Sequence, residues 1–357
     1  MKAAVLENIG KLEIKQVEKP VAAPGHVLIR IDYAGICGSD VHYYEHGRIG
    51  DFIVKGPLIL GHECAGTVAG MGEGANGFSI GDRVVPEPGY ACGKCSFCKS
   101  GKYNLCESMT FMATPPVDGA FCEYISYPAD MVFKLPKNVS TREAALIEPL
   151  AIGIYAAQRG GVFPGAKVLI LGAGCIGLVS MLASKAFGAS SVIITDVLGN
   201  RLEAARKLGA DHAVNSRTED LASIVGKATG GAGADVVIDC VGIDHTMANA
   251  VDNVKKGGTV VMVGMGSEGN VSVNMNRAIG KEIDFRTIFR YRNIFPTALE
   301  LVSSGKIDIK SIISHEYDFD DIAKAMEFVS KNKDNVVKAV ITFGSGEDYM
   351  KKGVLPE

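Results

Sequence analysis

"VLILGAGCIGLVSMLAS", residues 168–184, is an uncharged stretch in which an apolar run meets three glycines and then a helical pattern. It falls just short of the length that spans a bilayer, and its glycines divide it into two elements. We therefore predict a buried β-strand that turns directly into an α-helix.

The three glycines, Gly172, Gly174 and Gly177, follow the spacing G-x-G-x-x-G. The first permits a tight turn, the second lets the backbone approach a pyrophosphate, and the third lets the helix pack on the strand. The same spacing also occurs in flexible turns, but here it follows a predicted strand and opens a predicted helix. The motif therefore predicts a dinucleotide-binding turn, with the helix N-terminus facing the phosphates.

Around this turn, residues 151–289 alternate short β-branched runs with helical patterns, which gives six predicted strands. That alternation is typical of a doubly wound parallel sheet. The second strand ends at Asp196, whose carboxylate can accept both ribose hydroxyls and would repel a 2′-phosphate, so NAD is favoured over NADP. Arg201 could stack on the adenine or steady the ribose, although an exposed helical arginine is the commoner case.

Residues 1–150 have a different pattern. In "HVLIRIDYAG", residues 26–35, Val27, Ile29, Ile31 and Tyr33 fall on one face of a strand, which indicates an antiparallel β domain.

Candidate ligands for a zinc ion also lie in this region, at Cys37, His62 and Glu63. A catalytic zinc takes three protein ligands and keeps one position open. The alternative for His62 is a hydrogen-bonded histidine of the core.

The segment "CGKCSFCKSGKYNLC", residues 92–106, contains four cysteines in fifteen residues, enough to close a tetrahedral zinc shell. An iron–sulfur motif would have a last gap of three residues followed by proline, which this segment lacks. The odd total of nine cysteines disfavours a disulfide framework. Because a closed shell cannot bind substrate, we predict a structural zinc site formed by Cys92, Cys95, Cys98 and Cys106.

The bulk composition limits the possible partners. With 357 residues and 47% apolar composition, the chain can fill two buried cores. A net charge of −3 without runs of like charge argues against a nucleic-acid partner or an anionic membrane surface, so we expect a small-molecule partner. The N-terminal segment lacks the apolar core of an export signal, and we place the protein in the cytoplasm.

The chain resembles a known enzyme family through "GHECAGTVAGMG" (61–72), "CGSDVH" (37–42), the four-cysteine segment and "GAGCIG" (172–177). Together these motifs are similar to the zinc-containing medium-chain dehydrogenases over essentially the whole chain. "CGSDVHYYEHGRIGDFIVKGPLILGHE", "ATPPVDGAF", "IEPLAIG" and "FRYRN" resemble the branch of sorbitol (L-iditol 2-) and xylitol dehydrogenases. The resemblance implies a GroES-like catalytic domain at 1–150, an inserted Rossmann domain at 151–289 and a return to the catalytic domain at 290–357.

The resemblance also implies a catalytic zinc held by Cys37, His62 and Glu63, with Glu148 bound directly or through water. Neighbouring residues on a regular strand point to opposite faces, so His62 and Glu63 can share a metal only if the backbone after Gly61 is irregular. In this family the zinc acts as a Lewis acid on the substrate hydroxyl, and hydride passes to NAD.

A proton relay is implied at Ser39 and His42, where the alternatives are a turn hydrogen bond and a surface histidine. Polyol contacts are implied at four positions, of which the last two could reach a cleft between the domains: Tyr43, Glu148, Arg290 and Tyr291. Further NAD contacts are implied at Ile176, Val263, Gly264, Met265 and Phe289.

The expected activity is therefore oxidation of a secondary hydroxyl of sorbitol, xylitol or L-iditol, with two zinc ions per chain and a homotetrameric assembly. A related zinc dehydrogenase acting on 2,3-butanediol or L-threonine is the alternative enzyme. A non-catalytic nucleotide-binding protein, serving as a sensor or a lens-type structural protein, is the alternative from another class.

Two further expectations concern relatives and the chain end. The best-known animal sorbitol dehydrogenases have lost the structural zinc, whereas this chain keeps all four cysteines, so their preferred substrate does not transfer directly. We expect the last residues, 344–357, to be weakly ordered.

Overall fold

The computed structural model describes residues 1–266 and 269–344. In chain order its strands are β1 (Lys2–Asn8), β2 (Lys11–Gln16), β3 (His26–Ile36), β4 (Arg48–Ile49), β5 (Phe52–Ile53), β6 (Leu58–Ile59), β7 (Glu63–Met71), β8 (Arg83–Pro86), β9 (Gly89–Tyr90), β10 (Thr110–Phe111), β11 (Tyr124–Pro128), β12 (Val132–Lys134), β13 (Lys167–Leu171), β14 (Ser191–Asp196), β15 (His212–Asn215), β16 (Ala234–Asp239), β17 (Val254–Met262), β18 (Asp284–Thr287), β19 (His315–Asp318) and β20 (Ala339–Thr342). Its α-helices are α1 (Gly38–His46), α2 (Ser96–Lys99), α3 (Thr141–Ala144), α4 (Ile147–Gly160), α5 (Cys175–Ala186), α6 (Gly199–Lys207), α7 (Leu221–Ala228), α8 (Asp244–Asn253), α9 (Met275–Lys281), α10 (Phe295–Ser303) and α11 (Ile322–Lys331).

The chain divides into two units. Unit 1 comprises Met1–Glu148, Phe295–Ser303 and the chain from Ile313 onward, and unit 2 comprises Pro149–Ile294 and Ser304–Ile312.

The sequence-based division ended the second segment at 289 and treated 290–357 as one return segment. In the structure α10 groups with unit 1, because the ring of Phe295 lies 5.4 Å from that of Phe133 and Ser303 is hydrogen-bonded to Asn138. The residues after α10 rejoin unit 2 before the chain returns. The sequence predicts weak order for residues 344–357, and of these, residues 345–357 lie outside the described part of the chain.

Unit 1 is built on a seven-stranded sheet with the order β12-β8-β7-β3-β20-β19, and β11 also pairs with β3. The strands that flank β3 run antiparallel to it, as the alternating pattern predicted. Val27, Ile29 and Ile31 are buried as expected, but Tyr33 is only half-buried. The reason is a register shift between Ile31 and Tyr33 in the pairing of β3 with β7. Such a shift interrupts the regular alternation of side chains, so the residues after it no longer keep to the face of the residues before it.

Unit 2 confirms the predicted doubly wound parallel sheet. Its six strands have the order β15-β14-β13-β16-β17-β18, and each neighbouring pair is parallel. All six residues of β14 are buried, as expected for a β-branched strand covered on both faces. The first βα turn of this sheet therefore lies at its centre, where the strand order reverses between β13 and β16.

Among residues 1–266 and 269–344, we find no helix that combines the length and the apolar character needed to cross a membrane.

Candidate metal centres and nucleotide-binding loop

A sulfur, an imidazole and a carboxylate converge in unit 1. Cys37 follows the last residue of β3 and caps α1, whereas Glu63 begins β7 directly after His62. One ligand atom from each of the three side chains lies within 4.8 Å of the other two, and His62 and Glu63 are buried. This is the set of residues that the sequence suggested for a zinc ion.

The backbone before β7 explains how the adjacent residues His62 and Glu63 can both face the same cluster. Gly61 has φ +90, in the left-handed region, and the strand starts only at Glu63. The alternation of a regular strand therefore does not apply to His62. A Cβ atom at Gly61 would lie 2.5 Å from the ring of Phe121, so the position requires glycine for both its conformation and its space.

Asp40 joins the two segments that carry these groups. Its carboxylate accepts hydrogen bonds from the backbone N–H of Cys37 at 2.9 Å and of Gly61 at 3.0 Å, and lies 3.7 Å from Nδ1 of His62. Asp40 is fully buried. Asp40 was not among the site residues predicted from the sequence, although an acidic residue three positions after a helix N-cap is a known capping signal.

Lys338 is a second residue of this cluster that the sequence did not predict. Its ammonium group donates to both carboxylate oxygens of Glu63 at 2.8 Å and to the carbonyl of Ile36 at 3.1 Å. It immediately precedes β20, which pairs with β3 so that Ala339 lies opposite Ile36. A lysine inside the apolar run "VVKAVITF" is the signal that could have identified it, because lysine is almost never buried unless it is paired.

The electrostatics of the cluster favour a positive charge at its centre. Burial alone would lower the pKa of His62, but the Cys37 sulfur and the Asp40 carboxylate together raise the pKa well above its ordinary value. Zinc binds sulfur, imidazole nitrogen and carboxylate oxygen, so the donor set fits this metal. The residues present are thus compatible with a zinc ion that keeps an open position.

Glu148 does not belong to this cluster in the described structure. It lies in the first turn of α4 and is buried. The charge of Glu148 acts on a second carboxyl group, that of Glu87. Burial, together with this charge, raises the pKa of Glu87 to about 7. The hydroxyl of Tyr103 donates to Glu87 at 2.7 Å, which opposes the shift.

Helix α1 carries the three other expected site residues of unit 1. Ser39 and His42 are half-buried, and Tyr43 is buried. Burial, the positive charge of His46 and that of Lys333 lower the pKa of His42, and the charge of Glu45 opposes this. At neutral pH the imidazole of His42 is therefore neutral and able to accept a proton.

The four clustered cysteines also converge. Their sulfur atoms lie within 4.8 Å of one another at Cys92, Cys95, Cys98 and Cys106. Backbone N–H groups point at the sulfurs: that of Cys92 donates to Cys106 at 3.4 Å, and that of Cys98 donates to Cys95 at 3.5 Å. The N–H groups of Lys94 and Cys95 lower the pKa of Cys92 to about 6, which favours the thiolate form that binds metal. This donor set fits a closed tetrahedral zinc site.

In unit 2 the glycine-rich turn has the geometry that the motif predicted. Gly172 has φ +95, and a Cβ atom at Gly177 would overlap the carbonyl of Gly172. At Gly174 the nearest atom to an added Cβ is a guanidinium nitrogen of Arg201 at 3.9 Å, so the backbone there is open to a ligand. Ile176, in the first turn of α5, is half-buried. The turn can therefore hold a pyrophosphate at the N-terminus of α5.

Asp196 holds this turn as well as closing β14. Its carboxylate accepts from the backbone N–H of Ala173 at 2.8 Å, and from those of Val197 and Leu198 at 2.8 and 3.0 Å. Arg201 lies 3.7 Å from it. The residue expected at the ribose is thus hydrogen-bonded to the loop expected at the phosphates, which fits a dinucleotide.

The remaining expected positions of unit 2 lie on its later loops. The N–H groups of Val263 and Gly264 donate to the carbonyl of Asp239 at 2.9 and 3.0 Å, which fixes the loop after β17. Met265 and Phe289 are exposed, whereas Tyr291 is buried. Arg290 has φ +53, and its guanidinium group lies 4.9 Å from the centre of the Phe289 ring.

Two family models match the chain. The one described as alcohol dehydrogenase GroES-like domain covers residues 23–137, and the one described as zinc-binding dehydrogenase covers residues 175–304.

Full-length relatives are similar over nearly the whole chain. A sorbitol dehydrogenase of Bacillus subtilis (strain 168) is 42% identical over 341 residues, which are 96% of this chain and 97% of that protein. An L-idonate 5-dehydrogenase of Vitis vinifera is 42% identical over 344 residues, 95% and 93% of the two chains. A solved structure described as a short chain alcohol dehydrogenase from E. coli CFT073 with NADH is 30% identical, covers 96% of this chain and 99% of that chain, and has a TM-score of 0.88.

Proposed function

Because the chain belongs to the zinc-binding dehydrogenases with a GroES-like alcohol dehydrogenase domain, we propose that it oxidises a secondary hydroxyl of a sugar alcohol. The protein is an NAD-dependent zinc dehydrogenase of a small molecule. The observation that carries the proposal is the convergence of Cys37, His62 and Glu63 within 4.8 Å, supported by relatives that include a sorbitol dehydrogenase.

Cys37, His62 and Glu63 would hold the catalytic zinc, with Glu148 as a further ligand or as the anchor of a bound water. When bound, zinc supplies a Lewis acid for the substrate hydroxyl and NAD supplies the hydride acceptor. Asp40 and Lys338 keep these groups in position. Asp40 accepts from the backbone N–H groups of Cys37 and Gly61, and Lys338 donates to the carbonyl of Ile36 and to the carboxylate of Glu63.

Ser39 and His42 would remove the proton. Both lie on α1, within five residues of Cys37, and His42 is neutral at neutral pH because burial lowers its pKa. In this assignment the serine hydroxyl takes the substrate proton and the relay ends on the His42 imidazole. NAD would contact Gly172, Gly174, Ile176, Gly177, Asp196, Arg201, Val263, Gly264, Met265 and Phe289.

Polyol recognition needs more polar partners than a site for ethanol, since each additional hydroxyl needs one. Tyr43, Glu148, Arg290 and Tyr291 would supply them. The structural zinc, which has no catalytic role in this assignment, would be held by the four thiols of Cys92, Cys95, Cys98 and Cys106.

We assign the catalytic role to residues 1–150 with the return segment 290–357, and the NAD-binding role to residues 151–289. The resemblance implies a homotetramer, and we place the protein in the cytoplasm, as the N-terminal sequence suggested. Sedimentation equilibrium of the purified protein tests the assembly directly.

The experiment that tests the function compares initial rates of NADH formation with sorbitol, xylitol, L-idonate, 2,3-butanediol, L-threonine and ethanol, before and after dialysis against a zinc chelator. We expect sorbitol or xylitol to give the highest kcat/KM and the chelator to abolish the rate. If butanediol or threonine leads, the substrate contacts at Tyr43, Arg290 and Tyr291 are wrong. If no alcohol is oxidised by zinc-loaded protein, the catalytic assignment fails.

A further inference from the structure

Two histidines on α1 lie directly against each other. The rings of His42 and His46 are edge-on, with centroids 4.6 Å apart and an interplanar angle of 65°. Residues four positions apart on an α-helix share one face, so this contact follows from the helix itself. The proposed relay residue His42 therefore has a second imidazole as its neighbour.

The two rings differ in their access to water. His42 is half-buried, whereas the side chain of His46 is 57% exposed. A proton that arrives at a half-buried imidazole needs an acceptor within hydrogen-bond reach or one water away. With ring centroids 4.6 Å apart, His46 lies within the reach of one bridging water, and its own side chain is exposed to solvent.

The surroundings of His46 can offset a positive charge. Its Nε2 lies 3.5 Å from the carboxylate of Glu45. That carboxylate is held in place by the hydroxyl of Ser330 at 2.7 Å and the ammonium of Lys333 at 2.6 Å. His46 is also in the last turn of α1, where the helix dipole favours cations.

The charged groups on the neighbouring elements are already paired. Arg48 on β4 donates to the carbonyl of Gly50, and Lys331 on α11 pairs with Glu327. The charges that act on His42 are therefore those of His46, Glu45 and Lys333. The positive charge of Lys333 disfavours a proton that stays on His42.

We propose that His46 is the outer member of the proton relay and passes the substrate proton from His42 to solvent. This proposal rests on the proposed function of His42. In the step, an N–H bond of His42 breaks as an N–H bond forms on His46, directly or through one water, and bulk water then takes the proton from His46. The hydride, with its two electrons, goes to NAD⁺, so the alcohol loses one hydride and one proton.

The test uses the zinc-loaded enzyme with sorbitol, or with xylitol if that is the better substrate, in dilute buffer with a pH-indicator dye. Stopped-flow traces follow NADH formation and proton release for the wild type and for His46→Gln, His42→Gln and His212→Gln. His212 is an exposed histidine on β15 of unit 2 and serves as the matched control. Melting temperatures establish that each variant is folded.

For His46→Gln we expect proton release to slow by about threefold to tenfold with KM unchanged, and added imidazole to restore it. Removal of the His46 imidazole should also shift the acid limb of the kcat profile to higher pH, because His46, when protonated, lowers the pKa of His42. His212→Gln should behave as the wild type.

The inference is overturned if His46→Gln matches His212→Gln while His42→Gln loses proton release, and also if imidazole restores nothing. If His42→Gln leaves proton release and the pH profile unchanged, the relay assigned under the proposed function itself fails. These outcomes separate the two hypotheses.

Discussion

Lys338 and Glu63 form a buried ion pair, in which the ammonium group reaches both carboxylate oxygens at 2.8 Å and the two side chains are 4% and 1% exposed. The residues are 275 positions apart in the chain. The pair places a cation beside the candidate metal ligands, so Glu63 brings little uncompensated negative charge to the cluster.

Replacing Lys338 by methionine should destabilise the protein by about 3–5 kcal/mol, because it leaves the buried carboxylate of Glu63 without its partner. Thermal unfolding measures the loss, and metal analysis of the same sample shows whether zinc binding changes.

The controls for this prediction are two further variants. Lys338→Arg keeps the charge and should retain most of the stability. Lys338→Met combined with Glu63→Gln removes both charges and should recover part of the loss. A Lys338→Met variant as stable as the wild type would contradict the assignment.

Gly61→Ala should lower both the melting temperature and the zinc content. The left-handed backbone disfavours alanine by about 1–2 kcal/mol, and overlap with the Phe121 ring adds about 1–3 kcal/mol. Gly81→Ala is the matched control, since Gly81 has φ +93 and open space around it. It should show only the backbone cost and full zinc content. Equal effects of the two variants would rule out the overlap as the cause.

Asp196→Asn should raise the KM for NAD⁺ about tenfold, equivalent to about 1.4 kcal/mol, and improve the relative use of NADP⁺, because the carboxylate no longer repels a 2′-phosphate. Asp196→Ala should weaken NAD⁺ binding further, since the N–H of Ala173 also loses its acceptor. Steady-state kinetics with both cofactors measures the change. An unaltered preference for NAD⁺ in Asp196→Asn would place the discrimination elsewhere.

Cys106→Ser should reduce bound zinc from two ions per chain to one and lower the melting temperature, while the remaining active enzyme keeps its KM for substrate. Cys37→Ser should also lose one zinc, but with loss of activity rather than stability. Cys122→Ser, at a buried thiol outside both metal clusters, should retain both ions. Metal analysis with activity assays distinguishes the three, and equal activity in the first two variants would refute the division into structural and catalytic zinc.

Glu87 should make stability depend on pH. Burial and the charge of Glu148 raise its pKa to about 7 in the folded protein, against about 4.3 in an unfolded chain. The folded state therefore binds more protons between these values, and stability falls as pH rises through this window, by about 3–4 kcal/mol in total.

Glu87→Gln should remove this fall, because glutamine can still accept the Tyr103 hydrogen bond but does not ionise. Tyr103→Phe should move the window to higher pH, since the hydroxyl lowers the pKa. Melting temperatures at pH 5 to 8 measure both effects. A parallel pH dependence in the wild type and Glu87→Gln would assign the titration to another group.

Features encoded locally could be predicted from the sequence. The glycine-rich turn of unit 2 lies in six residues, and the four-cysteine segment in fifteen, so spacing alone defines them. Because His62 and Glu63 are adjacent, the sequence could also show that they share a metal only if the backbone at Gly61 is irregular. The structure shows that the condition is met.

Features that depend on distant strands could not be predicted in the same way. Lys338 reaches Glu63 only because β20 pairs with β3 in a specific register. The link between Asp40 and Gly61 spans 21 positions and uses a backbone donor, which has no side-chain signature in the sequence. The lower burial of Tyr33 relative to Val27, Ile29 and Ile31 could not be predicted, because a register shift is a property of two strands together.

The position of β20 has a consequence for biosynthesis. This strand pairs with the one that leads into Cys37, and the lysine before it neutralises Glu63. When only the first three hundred residues have been translated, every candidate metal ligand has already been synthesised. The strand β20 and the ammonium group of Lys338, which complete the surroundings of Cys37 and Glu63, have not. Metal acquisition by the catalytic site is therefore expected to wait until β20 has emerged from the ribosome, whereas the four-cysteine segment can bind its ion as soon as it has itself emerged.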